Sequence, residues 1–154
     1  MSSFRVVGMV LSIAGAASSF AESAPTTPVQ VYVMAFLPED GWSVEVDGRG
    51  HVSASHVHVG NTARALSADE KRELARLLGR LPTGRKRYSY GTYVVDGTAF
   101  ELCVGIPSNR RCYTVADALG DDAGSSDAER VVEAIRYLRW FVPSDEAAWP
   151  PTTE

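Results

Sequence analysis

One stretch constrains the fold more than any other: Leu66 to Pro82, reading LSADEKRELARLLGRLP, with strand-like alternation on both sides of it. Ser67 and Glu70 have the spacing of a capping box, in which each side chain accepts from the other residue's free backbone N–H. Leu74, Leu77, Leu78 and Leu81 recur at helical spacing and share one stripe, while Lys71, Arg72, Glu73, Arg76 and Arg80 point elsewhere. Asp69 and Glu70 suit the positive end of the helix dipole and Arg80 the negative end. Pro82 stops the helix. Burying four leucines yields roughly 6–12 kcal/mol gross, and that gain requires a sheet beneath them.

The first residues read as an export signal. Arg5 supplies a basic start, Val6 to Ala17 an apolar run too short to span a bilayer, and Ser19-Phe20-Ala21 a small-x-small cleavage site. The expected organisation is a signal peptide at 1–21, a flexible leader at 22–28, one domain at 29–142 and a disordered tail at 143–154. No later segment reads as a membrane span. The chain carries 15 Lys and Arg against 19 Asp and Glu, a balance that argues against a general nucleic-acid binder. Two cysteines, Cys103 and Cys112, lie beyond the signal, and an even count in an oxidising compartment reads as a disulfide.

Taken in order, Val29, Val31, Val33 and Ala35 alternate along a first strand. Pro38 to Gly41 is a turn, and Trp42, Val44 and Val46 follow with period two. Gly48-Arg49-Gly50 reads as a three-residue hairpin loop with Gly50 in the left-handed bulge position, which sets Val46 opposite Val52 and Val44 opposite Ala54. The apolar parity then shifts to Val57 and Val59, so a β-bulge near Ser55-His56 is expected. It would put His51, His56 and His58 on one wetter face. After the helix, Tyr88 to Val95 and Thr98 to Gly105 read as a hairpin around Asp96-Gly97, pairing Tyr93 with Phe100 and Gly91 with Leu102. A further strand runs from about Arg111 to Ala116. With Cys103 opposite Cys112, Leu102 faces Tyr113 and Phe100 faces Val115, so sulfur bridge and apolar face agree in one register. Ser126 and Glu129 suggest a second capping box. It opens a helix to about Phe141 with Ala128, Val131, Val132, Ile135, Leu138 and Val142 on its buried stripe and Arg130, Glu133, Arg136 and Arg139 mostly solvated. The fold class is α+β: two layers, a mostly antiparallel sheet of about six strands with two helices packed on one face.

Chemistry-bearing motifs are few. His56 and His58 would project about 7 Å apart along a strand, a pair that can hold zinc or copper weakly if Glu45, Asp47 or His51 adds a ligand. No Gly-x-Ser-x-Gly elbow and no His-Glu-x-x-His helix occurs, so a non-enzymatic protein without cofactor is expected. Arg85-Lys86-Arg87 and Arg110-Arg111 are basic turns suited to an acidic protein partner. Tyr88 and Tyr90, expected on the face of Cys103, suit a binding surface with them.

The run Gly41-Trp42-Ser43-Val44-Glu45-Val46-Asp47-Gly48-Arg49-Gly50, then Leu66-Ser67-x-x-Glu70 with its Leu-rich helix, then Arg111-x-Tyr113-Thr114-Val115-x-Asp117, resembles small exported bacterial α+β domains of uncharacterised function. In layout, over about residues 42–141, it is also similar to the emfourin-like inhibitors of thermolysin-type metalloproteases. The resemblance implies a secreted or periplasmic binding module, with protease inhibition as its most concrete form. The candidate contact surface is the tip Ile106 to Arg111, with Pro107, Asn109, Arg110 and Arg111, pinned at its base by Cys103–Cys112. A loop whose ordering cost is met in advance binds more tightly.

Overall fold

The computed structural model describes residues 26–34, 41–92, 98–116, 122 and 124–143. The expected signal, most of the leader and nearly all of the tail therefore lie outside the described residues. The elements are β1 (Val29–Met34), β2 (Trp42–Val46), β3 (His51–His56), β4 (Gly60–Ala65), α1 (Ala68–Gly79), β5 (Arg87–Tyr90), β6 (Ala99–Val104), β7 (Arg111–Ala116) and α2 (Ser126–Arg139). One seven-stranded sheet runs β4-β3-β2-β1-β6-β7-β5, one strand more than expected. Val29 and Val31 on the central β1, Val44 and Val46 on β2, Leu102 on β6 and Tyr113 on β7 face a single core. The leucine stripe of α1 and Val131, Ile135 and Leu138 of α2 cover it. The fold is α+β.

Much of the local chemistry follows the sequence. Val46 pairs with Val52 and Val44 with Ala54; Gly50 has φ +80° and donates to Asp47 O at 3.0 Å, closing the bulged hairpin. Thr26, within the expected flexible leader, donates its N–H to Gly48 O at 3.1 Å. Ser67 and Glu70 form the capping box, and Leu74, Leu77, Leu78 and Leu81 are all buried. Because β4 and β5 are opposite edges of the sheet, the chain must cross it between them. Six inter-strand gaps span roughly 29 Å, of which twelve helical residues cover about 18 Å. Residues 80–86 make up the rest. The helix that bears the stripe is thus also the crossover.

Four expectations are corrected. No bulge occurs at Ser55-His56: β3 ends there, Val57–Val59 turn, and β4 returns with His56 opposite Gly60. All six β4 residues are exposed, so this edge strand has no buried apolar face; it is held by its backbone ladder and by bonds from Thr62 to Phe141 O and from Arg64 to Glu70. Val52, Ala54 and His56 alternate regularly, which puts His56 on the face of Trp42 and leaves His51 on the other. Second, β5 does not pair with β6, whose two flanks are taken by β1 and β7. It pairs in parallel with β7, Tyr88 opposite Tyr113 and Tyr90 opposite Val115, and residues 93–97 lie outside the described residues. Third, the N-cap of α2 is Ser125, without a side-chain bond. Its N3 residue is then the buried Ala128, which has no carboxylate to close a box. Fourth, Arg139 is half-buried, its guanidinium 5.3 Å from the Trp42 ring centre, and burial lowers its pKa. It stands four residues after Ile135, on the flank of the apolar stripe.

The α1 N-terminus makes stability pH-dependent. Arg64 grips Glu70 with two bonds of 2.8 and 2.6 Å, and the Ser67 N–H adds a third at 2.8 Å. The Arg64 bonds foremost pull the Glu70 carboxyl from its ordinary 4.5 down to about 2. Because the folded value is depressed, the stabilisation is whole above pH 4.5 and is lost as pH falls toward 2. Urea midpoints should therefore drop over that acid window by an amount worth about 1–2 kcal/mol, discounted for the solvent reaching the pair. Glu70→Gln should remove that part of the pH dependence.

Candidate functional site

The site is built where β6 turns into β7. Cys103 and Cys112 are directly opposed, Leu102 faces Tyr113 and Phe100 faces Val115, the register expected from the sequence. The cysteines are bonded, with Cα atoms 4.1 Å apart. The N–H of Cys112 points away from β6 and donates to Lys86 O at 3.0 Å, so the bridge lies in a non-hydrogen-bonded pair of the β6–β7 ladder, where side chains come closest. Beyond the bridge, Gly105 takes φ +104°, and a Cβ there would meet Asn109 O at 2.7 Å. Only glycine fits this corner. Pro107–Asn109 then form a single 3-10 turn, Asn109 N donates to Ile106 O at 2.9 Å, and Gly105 N ties the base to Pro28 O at 2.8 Å. Ile106, Pro107, Ser108, Asn109 and Arg110 are exposed and Arg111 is half-buried. Ile106 is 55% exposed, an apolar side chain at the start of the tip.

The parallel pairing adds a second half to this surface. With Arg87 opposite Cys112 and the Cys112 N–H bonded to Lys86 O, the two basic runs of the sequence lie at the same end of neighbouring strands and form one rim there. The basic loop is held in place by tyrosines. Tyr113 donates its hydroxyl to Pro82 O at 2.7 Å, and the Arg85 N–H donates to the Tyr88 hydroxyl at 2.7 Å. Arg85, Lys86 and Arg87 are exposed. Among the described residues, Glu101 is the one carboxylate within ion-pair reach of the rim, 3.8 Å from Arg87. Arg110 reaches Gln30 Oε1 at 3.4 Å.

The tyrosines themselves lie on a different face from the one expected. Tyr88 and Tyr90 lie on the core face, opposite to that of Cys103, because parallel pairing aligns them with Tyr113 and Val115. The Tyr88 ring stacks on Tyr113 at 5.1 Å and on Tyr90 at 6.4 Å. Tyr90 is 8% exposed, and burial, then the charge of Asp127, pushes its hydroxyl up to about 12. Of these rings, Tyr88 and Tyr113 bond to the basic loop through their hydroxyls. Replacing Tyr113 by Phe should cost about 1 kcal/mol and hasten tryptic cleavage after Arg85, Lys86 and Arg87, read by mass spectrometry of timed digests.

His56 and His58 lie at the other end of the sheet from the tip, whereas His51 lies at the tip's own end. The rings of His56 and His58 are 6.2 Å apart, but the His58 N–H donates to His56 Nδ1 at 3.2 Å, which occupies one of the two nitrogens a metal would use. His51 instead faces Asp47, 3.5 Å away. Among the described residues no third ligand joins His56 and His58; the one convergent trio of metal-binding side chains is Glu101, Cys103 and Cys112. The sequence reading missed Glu101, although period two alone places it on the face of Cys103. No helix of the described residues is long and apolar enough to cross a membrane. No protein-family model and no curated protein matches this chain.

Proposed function

We propose that this chain is an exported, non-enzymatic protein-binding module whose contact surface is the rim made by the stapled tip and the basic loop. The observation that carries the reading is the parallel β5–β7 pairing, which brings the run Arg85-Lys86-Arg87 and the run Arg110-Arg111 to the same end of neighbouring strands. Five cations on a protein of formal charge −4 form a surface of opposite sign to the whole, suited to an acidic patch on a partner. Ile106 supplies the apolar anchor that such contacts need at their centre. The disulfide, the Gly105 corner and the 3-10 turn hold the tip before binding, so little ordering remains to be done. A rigid, exposed, arginine-bearing loop is also what a protease inhibitor presents. Together with the layout similarity to emfourin-like inhibitors, it makes inhibition of a secreted metalloprotease the specific form we favour.

The test is differential capture. Secreted proteins of the source are passed over immobilised wild type and over Arg110→Ala/Arg111→Ala. The wild type is expected to retain a partner that the variant does not, with retention falling as salt rises. The retained fraction should contain a protease that free wild-type protein inhibits. Identical partners on both columns would remove the rim from consideration.

A further inference from the structure

The side of the sheet away from the helices carries a buried carboxylate beside the bridge that staples the tip. Glu101 and Cys103 are two residues apart on β6 and point the same way; Cys112 lies across from Cys103 on β7. Their carboxylate oxygen and two sulfurs all lie within 4.8 Å of one another, and all three residues are buried. A tetrahedral zinc site needs sulfurs about 2.3 Å and an oxygen about 2.0–2.2 Å from the ion. Three donors so close together meet those distances with small side-chain rotations once the sulfurs are no longer bonded to each other. A carboxylate buried beside two sulfurs, with one arginine 3.8 Å away, has no evident role in packing.

We propose that reduction of Cys103–Cys112 converts this cluster into a site for a thiophilic divalent cation, with zinc the natural occupant. A dithiol reductant gives two electrons and two protons to the bridge, leaving two thiols here and a disulfide on the reductant. Each thiol then releases its proton to solvent as it takes the metal. Two thiolates and the Glu101 carboxylate hold the ion, and water completes the shell. The assembled site carries one net negative charge, which Arg87 faces. Bridge and metal exclude each other, yet either one ties β6 to β7 at the base of the tip.

Cobalt reports the site directly, because thiolate ligation gives an intense near-ultraviolet charge-transfer band that imidazole ligation does not. The full chain is reduced, freed of reductant without air and titrated with cobalt, with circular dichroism followed in parallel. The reduced wild type should develop the band at one equivalent with a folded spectrum, and the oxidised chain should not. Loss of an outer partner to a ligand already costs about 10–100-fold in metal affinity, so Glu101→Gln, which removes a ligand, should weaken binding at least as much. Cys103→Ser should abolish the band. Absence of the band in the reduced wild type would overturn the proposal, as would unchanged affinity in Glu101→Gln. A reduced chain that unfolds and is not restored by cobalt would overturn it equally.

Discussion

Leu74→Ala is expected to lower the unfolding free energy by about 3–4 kcal/mol, near the upper part of the range for buried leucines. Leu74 is 0% exposed and sits at the centre of the helix that spans the sheet, so truncation both removes buried apolar surface and leaves a cavity. The site has little freedom to collapse, since α1 is anchored at its start by the capping box and at its end by the hydrogen bond from Tyr113 to Pro82 O. In urea the midpoint should fall with the slope unchanged, the mark of altered stability rather than an altered unfolded state. Arg72→Ala, on the exposed side of the same helix, should stay within about 0.5 kcal/mol. A Leu74 effect no larger than that of Arg72 would mean that the stripe does not cover the sheet.

The second large effect belongs to the bridge. Cys103 and Cys112 are nine residues apart, and freeing so short a loop in the unfolded chain costs roughly 2–3 kcal/mol of stability on the chain-entropy account. Cys103→Ala/Cys112→Ala should show that loss in urea, and it should also lose the order of the tip. Trypsin should then cut after Arg110 and Arg111 in the variant under conditions in which the oxidised wild type resists. A variant as stable and as resistant as wild type would show that the corner at Gly105 and the 3-10 turn hold the tip alone.

What the sequence made legible is where local chemistry and periodicity act together. The α1 stripe, the Gly50 hairpin and the register of Cys103 against Cys112 each rest on two independent signals that agree. The failures share a cause as well. β4 has no apolar face to reveal it, because an edge strand is held by backbone pairing, and Val57 and Val59 mimicked a continued strand. Tyr88 and Tyr90 alternate with polar residues in either pairing, so their periodicity cannot choose between β6 and β7 as partner. That choice is made by long-range competition: β1 occupies the other flank of β6, and β5 takes the outer edge of β7 instead. For the site, the two basic runs were visible as segments, but their adjacency was not, since it depends on the parallel pairing. Glu101 was overlooked for the opposite reason, its position being written plainly in the spacing from Cys103.

The rim exists only with that parallel pairing, and a two-dimensional proton NOE spectrum of the oxidised chain tests it directly. Cross-strand contacts are expected between Tyr88 and Tyr113 and between Arg87 and Cys112, with the Cys112 amide slow to exchange because it donates to Lys86 O. Contacts from Tyr88 and Tyr90 to β6 instead, in antiparallel order, would place the two basic runs a strand apart and contradict the rim as a single surface.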